Sequence, residues 1–332
     1  MRKVVFTCLL VLTVIGCNIG SGELLYPVNV GGEWGYINQQ GEFVINPQFD
    51  GAWEFSEGLA LVMIDYEYGF INKDGDIVIN PQFDGAGKFS EGLAVVGIGD
   101  EYGFINKDGD IVINPQFDGA GNFSEGLAIV RFDDDEYGFI NKDGDVVINP
   151  QFDSAGEFSE GLACVEMGND YGFIDKDGDI VINPQFDFAS DFSEGLAIVK
   201  INYEYGFINK DGDIVINPQF EHASDFSEGL ARVEIGNDYG FIDKDGDIVI
   251  NPQFDYVSGF FEGLAIVEID DEYGFINKDG DIVINPQFDD AGIFSEGLAV
   301  VRIGDEYGFI NKDGDIVINP QFDYLYTSSD WN

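Results

Sequence analysis

Twice in this chain, at Asp175-Lys-Asp177-Gly-Asp179 and at Asp243-Lys-Asp245-Gly-Asp247, oxygen-bearing side chains alternate as in the opening of a calcium-binding loop. Such a loop needs a glycine at its sharp turn and a bidentate glutamate to close it. Here Ile180 and Ile248 stand at the glycine position, Pro184 and Pro252 interrupt the run, and Phe186 and Phe254 occupy the closing position. Hairpin chemistry accounts for the same Asp and Gly residues without a metal. The six aspartates are weak calcium candidates, strengthened only if turns from adjacent units stack into a ladder of carboxylates with cations between the rungs.

Nucleophile chemistry finds less support. His222 is the only histidine, and Cys164 lies in a strand pattern where other copies carry Leu61, Val95 or Ile198. Phe-Ser-Glu-Gly occurs seven times, with Phe261 replacing the serine in an eighth copy, and a serine repeated without a base has no mechanism. Carboxylates are too abundant to single out a glycosidase pair. The expectation is a protein without catalysis and without a cofactor, calcium being the alternative.

The elements that must carry these residues are written nine times. An aromatic-glycine pair begins at Trp34, Tyr68, Tyr102, Tyr137, Tyr171, Tyr205, Tyr239, Tyr273 and Tyr307, in steps of 34 with a single step of 35. A period of that length specifies a repeat architecture. In the second copy three strands are legible: a Tyr-Gly strand over 68–72, an Ile-Val-Ile strand over 76–80 and a Leu-Ala strand over 93–98. Lys73-Asp74-Gly75 makes the hairpin loop between the first two, and Pro81 is expected to stop the Ile-Val-Ile strand. The connector over 82–92 is expected to plug the core with Phe83 and Phe89. Both faces of the strands are apolar, so each small sheet must be sandwiched between neighbours. No helical periodicity of useful length follows the N-terminal segment.

These residues resemble a known family. Trp34-Gly35-Tyr36-Ile37, Val44-Ile45-Asn46-Pro47, Phe49-Asp50, Phe55-Ser56-Glu57-Gly58-Leu59-Ala60 and Val62 are similar to the bacterial WG repeat, over residues from about 24 to 324. Only the first copy keeps tryptophan. The resemblance implies an all-β array on an envelope or secreted protein and brings no catalytic residues. The fold expected is a tandem array of nine antiparallel three-stranded β-meander repeats forming an open solenoid or superhelix, because 34 residues leave little room for four strands and no strand is left over to join the ends. The alternative is a β-propeller or partial ring, with the connector supplying a fourth short strand.

Residues 1–16 read as a signal peptide: Arg2 and Lys3 precede an apolar run from Val4 to Ile15, too short to span a membrane comfortably. Val14-Ile15-Gly16-Cys17 resembles a lipobox, which implies a lipidated Cys17 with residues 17–23 as a tether and 24–332 as a single repeat domain. The expected address is the cell envelope, as a lipoprotein of the outer membrane or cell surface. The formal charge of the whole chain is −48, and loss of the two basic residues of the signal deepens it to about −50. That charge argues against nucleic acid and against direct adhesion to anionic lipid, leaving membrane contact to the anchor. With Cys8 removed and Cys17 acylated, Cys164 has no partner for a disulfide.

Divergence among near-identical copies marks a candidate binding surface. One variable position follows the Phe-Asp of the connector and holds Phe188, His222, Tyr256 and Tyr324; a second, on the Leu-Ala strand, holds Arg131, Lys200 and Arg302. Varied aromatics and charges on a repeat scaffold suit a monomeric, lipid-anchored protein that binds a protein partner or a surface polymer. The other reading is a calcium- or glycan-binding envelope protein.

Overall fold

The computed structural model describes residues 24–132 and 136–325. The segment read as a signal and the whole of the tether over 17–23, Cys17 included, lie outside the described residues. Among those described, no helix is long and apolar enough to cross a membrane, which says nothing of a β-barrel.

The described residues build nine antiparallel sheets, eight of four strands and one of three. In the third sheet the strands are Gly85–Ala86, Leu93–Ile98, Glu101–Asn106 and Ile111–Phe117, paired in that order. The Leu-Ala, Tyr-Gly and Ile-Val-Ile strands expected from the sequence are all present. The connector adds a fourth strand, of two residues in this blade, so eight of the sheets are four-stranded blades.

The blades form a ring rather than the open array. The first sheet has three strands of its own, Tyr26–Val30, Glu33–Ile37 and Phe43–Phe49. Its missing edge comes from the other end of the chain: Tyr324 bridges Asn29, with the Asn29 amide donating to the Tyr324 carbonyl at 3.0 Å and the Asp323 amide to the Asn29 carbonyl at 3.1 Å. The same two positions pair within other blades, as in Gly51↔Met63 and Gly85↔Gly97. The strand thought to be absent is thus supplied by the last connector.

Every interface between blades is built alike. A ring on the Tyr-Gly strand packs against the connector phenylalanine of the next blade, as in Phe70–Phe89 at 4.8 Å and Phe241–Phe260 at 4.7 Å between centroids. Such pairs add about 0.5–1.5 kcal/mol to the area they bury. At the seam Tyr26, which replaces the small alanine seen at Ala60 and Ala94, lies 5.0 Å from Phe309 and makes the equivalent pair. Val28, Ile37 and Leu325 complete that interface against Phe309, Ile318 and Phe322.

The Phe-Ser-Glu-Gly element is a staple between blades. Ser56 Oγ donates to the Phe89 carbonyl of the next blade at 2.7 Å, and Ser90, Ser124, Ser159, Ser193 and Ser227 repeat this bond. The following Glu and Gly form a two-residue turn that needs positive φ at both positions, which glycine adopts freely and glutamate does not. Glu91 holds φ of 52° all the same. Its carboxylate accepts the Gly126 amide of the next blade at 3.0 Å and pairs with Lys142 at 3.0 Å. The repeat lysine lowers the pKa of Glu57, Glu125, Glu160, Glu194 and Glu262, holding them ionised.

The glycine of the Tyr-Gly pair marks a crossing. Tyr102 pairs Phe117 and Phe104 pairs Ile113, so four residues of one strand span two of the other. The excess, Asn114-Pro115-Gln116, lifts over Gly103, where a Cβ would sit 2.5 Å from the Ile113 carbonyl oxygen and 2.6 Å from the Pro115 nitrogen. All nine blades carry this close approach. Pro115 therefore does not stop the strand as expected, because its missing N–H falls in the bulge, where no ladder bond is lost. Crossing the face of its own blade lets the chain enter the next after a single residue, Asp118. The outer strand is also more open than a sandwiched sheet implies: Ile111 and Val112 are exposed.

A candidate binding face of paired variable positions

The two variable positions, twelve residues apart in sequence, lie directly opposite each other in the structure. Phe188 pairs Lys200, His222 pairs Glu234, Tyr256 pairs Glu268, Asp290 pairs Arg302 and Gly119 pairs Arg131. The Leu-Ala member then pairs the Tyr-Gly tyrosine, as in Lys200↔Tyr205 and Arg302↔Tyr307. Directly opposed residues share one face of a sheet, so each blade carries a row of three neighbouring positions, some of them filled by glycine. At the seam the row is Tyr324, Asn29 and Trp34, drawn from both ends of the chain. The rows occupy the same end of every blade and lie side by side around the ring.

Aromatic contacts join the rows. Phe188 lies 5.8 Å from Tyr171 of the preceding blade and 6.3 Å from Tyr205 of its own, and His222 stacks on Tyr205 at 5.6 Å with the planes 24° apart. Tyr256 meets Tyr273 at 6.4 Å, and Tyr324 lies 5.9 Å from both Tyr307 and Trp34. Phe188, Tyr256 and Tyr324 are all exposed. The repeat tyrosines thus belong to the face, and among these positions only Trp34 is buried.

Charges are interleaved with the rings. Lys200 Nζ sits 4.6 Å from the centroid of Tyr205 and donates to its hydroxyl at 3.3 Å. Tyr171 donates to Glu166 at 3.1 Å and Tyr239 to Glu234 at 3.3 Å. Burial first, then Glu268, pushes the Tyr273 hydroxyl up to about 12, so it stays a neutral donor. Arg302 donates to the carbonyls of Asp289 at 2.8 Å and Gly304 at 3.0 Å, and Arg131 to that of Asp118 at 3.3 Å. His222 Nε2 lies 3.9 Å from Glu234.

The calcium candidates are spread differently. Asp175 Oδ1 accepts the amides of Asp177 at 3.0 Å and Asp179 at 2.9 Å, and Asp243 does the same for Asp245 and Asp247. Asn72 plays this part in an ordinary copy, so the lead aspartate substitutes for asparagine as a turn acceptor. Among the described residues no three His, Cys, Asp or Glu are grouped to hold a metal. Cys164 is buried with its thiol pushed up to about 12 by burial, then by Asp191 and Glu166, which keeps it protonated filler.

One carboxylate group was not singled out by the sequence reading. Asp191 sits against Gly156 of the preceding blade, and Asp225 accepts from Ser190 Oγ at 2.8 Å. Burial, followed by Asp225 and Glu157, pushes Asp191 up to about 6 from an ordinary 3.8. A raised carboxyl favours the folded state while protonated, and that contribution fades as pH rises through about 6. Asp191→Asn is therefore expected to stabilise the protein at pH 8, by on the order of 1 kcal/mol once partial exposure is discounted, and to change little at pH 4. Paired thermal melts at the two pH values check this, and equal effects at both would refute it.

The fold and the chain can be set beside known proteins. A eukaryotic initiation factor matches over 92% of this chain and 98% of its own, with a TM-score of 0.66 at 9% identity, which shows a shared fold. The computationally designed Ika8 protein covers 89% of this chain and 98% of its own, with a TM-score of 0.49 at 9% identity. The WD40 β-propeller domain of Doa1 covers 74% of this chain and 93% of its own, with a TM-score of 0.35 at 13% identity. No curated protein matches the chain. The model of the WG containing repeat matches nine times, at residues 34–67, 68–102, 102–134, 137–169, 171–205, 205–237, 239–273, 273–307 and 307–330. With nearly the whole ring covered copy by copy, the chain belongs to the WG-containing-repeat family.

Proposed function

We propose that this ring is a non-catalytic binding scaffold, held at a bacterial cell envelope by a lipid on Cys17, that takes a protein or surface polymer across its variable rows. The observation that carries the reading is the register: residues that differ between otherwise near-identical copies come together as contiguous rows on one face. Drift alone scatters over solvated positions, whereas here variation is paired with exposed aromatics, which bind with little entropic cost. The serines that looked like repeated nucleophiles bond to carbonyls of the next blade, and the repeat glutamates hold amides and lysines, so the invariant polar residues serve the scaffold.

The test combines address and surface. Cys17→Ser is expected to move the protein from the membrane to the soluble fraction. For the face, Phe188→Gly, His222→Gly and Tyr256→Gly install the residue that Gly51, Gly85 and Gly119 already supply at that position, so the ring should persist. The triple variant of the mature chain is expected to lose at least tenfold of its capture from solubilised envelope extract, relative to the parent. Unchanged capture would refute the face, and membrane retention of Cys17→Ser would refute the anchor.

A further inference from the structure

Three departures from the repeat converge on one cavity of about 470 Å³ between blades seven (residues 222–254), eight (256–288) and nine (290–322). Arg232 stands where other copies carry an aliphatic residue or Cys164. Gly259 stands where the three preceding blades carry Glu157, Asp191 and Asp225. Phe261 replaces the staple serine. In the preceding blades that acidic side chain reaches back 35 or 36 residues to cover a small one: Glu157 lies over Gly121, Asp191 over Gly156, and Asp225 over Ser190. Gly259 leaves Ser224 uncovered in the same way, and the cavity is the space so vacated.

Its wall has a defined chemistry. The Arg232 Nη1 donates to the Val257 carbonyl at 2.9 Å, and its guanidinium lies 5.2 Å from the Tyr239 ring. The Arg232 Nε is buried without a hydrogen-bond partner. The arginine makes no ion pair among the described residues, in a chain of net charge −48. The hydroxyls of Ser224 and Ser258 donate to backbone carbonyls and accept the Arg232 and Ile266 amides, and that of Ser227 donates to the Phe260 carbonyl, so each keeps an acceptor lone pair on a wall that also carries the Asp225 and Asp290 carboxylates. Phe261 and Tyr256 are exposed and supply flat apolar surface.

The geometry points to a binding site for a small hydroxylated ring carrying one carboxylate, of the hexuronate class. The carboxylate pairs with Arg232, the ring hydroxyls donate to the acceptor-rich wall, and the ring face lies on Phe261 and Tyr256. The volume falls within the usual 300–1,000 Å³ of small-molecule sites. Net charge selects a single carboxylate over a polyanion, because each added negative charge meets the field of the whole chain. This site adjoins the variable rows, sharing Tyr256, Tyr273 and Asp290 with them, but includes neither Phe188 nor His222.

The experiment uses the mature chain and D-galacturonate, with D-galactose as the ring without a carboxylate and acetate as the carboxylate without a ring. Calorimetry and ligand-observed NMR should show galacturonate binding, with galactose and acetate at least tenfold weaker. Arg232→Ile, which installs the residue of Ile198 and Ile266, should weaken galacturonate by ten- to a hundredfold. Gly259→Asp, which restores the covering side chain of Asp225, should abolish binding, and it carries the test should Arg232→Ile fail to fold. Phe188→Gly with His222→Gly should leave galacturonate binding intact, separating this site from the face. Absence of galacturonate binding, binding unchanged in a folded variant, or equal binding of acetate would overturn the assignment.

Discussion

Gly103→Ala is expected to destabilise the protein by at least about 3 kcal/mol. The φ of this glycine is not the reason, since its backbone lies outside the left-handed region. What forbids the methyl is the backbone crossing above it, with an oxygen 2.5 Å and a nitrogen 2.6 Å from the new carbon. A flexible side chain could rotate away, but a crossing strand must move as a unit, which places the change at the costly end of overpacking. Gly85→Ala is the matched control: it lies in the short strand, has nothing within 4 Å of the added carbon, and should cost less than about 0.5 kcal/mol. Chemical denaturation of both variants checks the pair. Equal, small losses would mean that the strand does not cross there.

Removing residues 323–332 is expected to lower the melting temperature by about 10 °C and to promote association. The truncation deletes the two backbone bonds of the Asn29–Tyr324 bridge and the bond at 2.6 Å from the Gly31 amide to Asp323. It also deletes Leu325, buried to 2% exposure against the Phe309 and Ile318 cluster. Three hydrogen bonds at about 1 kcal/mol each and one leucine at about 2 kcal/mol come to roughly 5 kcal/mol. A domain of this size loses about 2 °C or more per kcal/mol. The opened seam would leave Val28 and Ile37 facing water, a ready surface for a second copy. In an open array the same residues would be a loose terminus, and their loss would cost little.

The sequence carried the strands and the copy number because period and alternation repeat nine times. It offered the ring only as the alternative to an open array. A fourth strand of two residues, such as Gly85–Ala86, is too short for any pattern, and closure rests on a bridge at one residue, Tyr324. Nor does a small rotation per interface leave a mark in composition. Pro81 was misleading because a proline usually ends a strand, and only the crossing over Gly69 explains how the strand continues to Phe83. The variable residues were legible one by one as departures from the repeat. Their pairing was not, because a bulge between Ala52 and Phe55, and its irregular equivalents in later connectors, breaks the register that the Glu-Gly turn would otherwise set. Arg232, Gly259 and Phe261 were visible in the same alignment of copies, but only the packing of three blades brings them to one cavity.

The central claim is that the first and last repeats meet, at Asn29 and Tyr324. Cysteines placed at Asn29 and Tyr324, in a mature chain with Cys17→Ser and Cys164→Ala, test it directly. Opposed residues in antiparallel strands lie about 4.5–5.5 Å apart at Cα, within the range a disulfide spans. Nine sheets stacked in the open at about 10 Å spacing would hold these positions roughly 80 Å apart. Mild oxidation at low protein concentration, followed by non-reducing electrophoresis and peptide mapping, should give an intramolecular disulfide joining the two ends in nearly every molecule. Free thiols, or disulfides only between molecules, would contradict the ring.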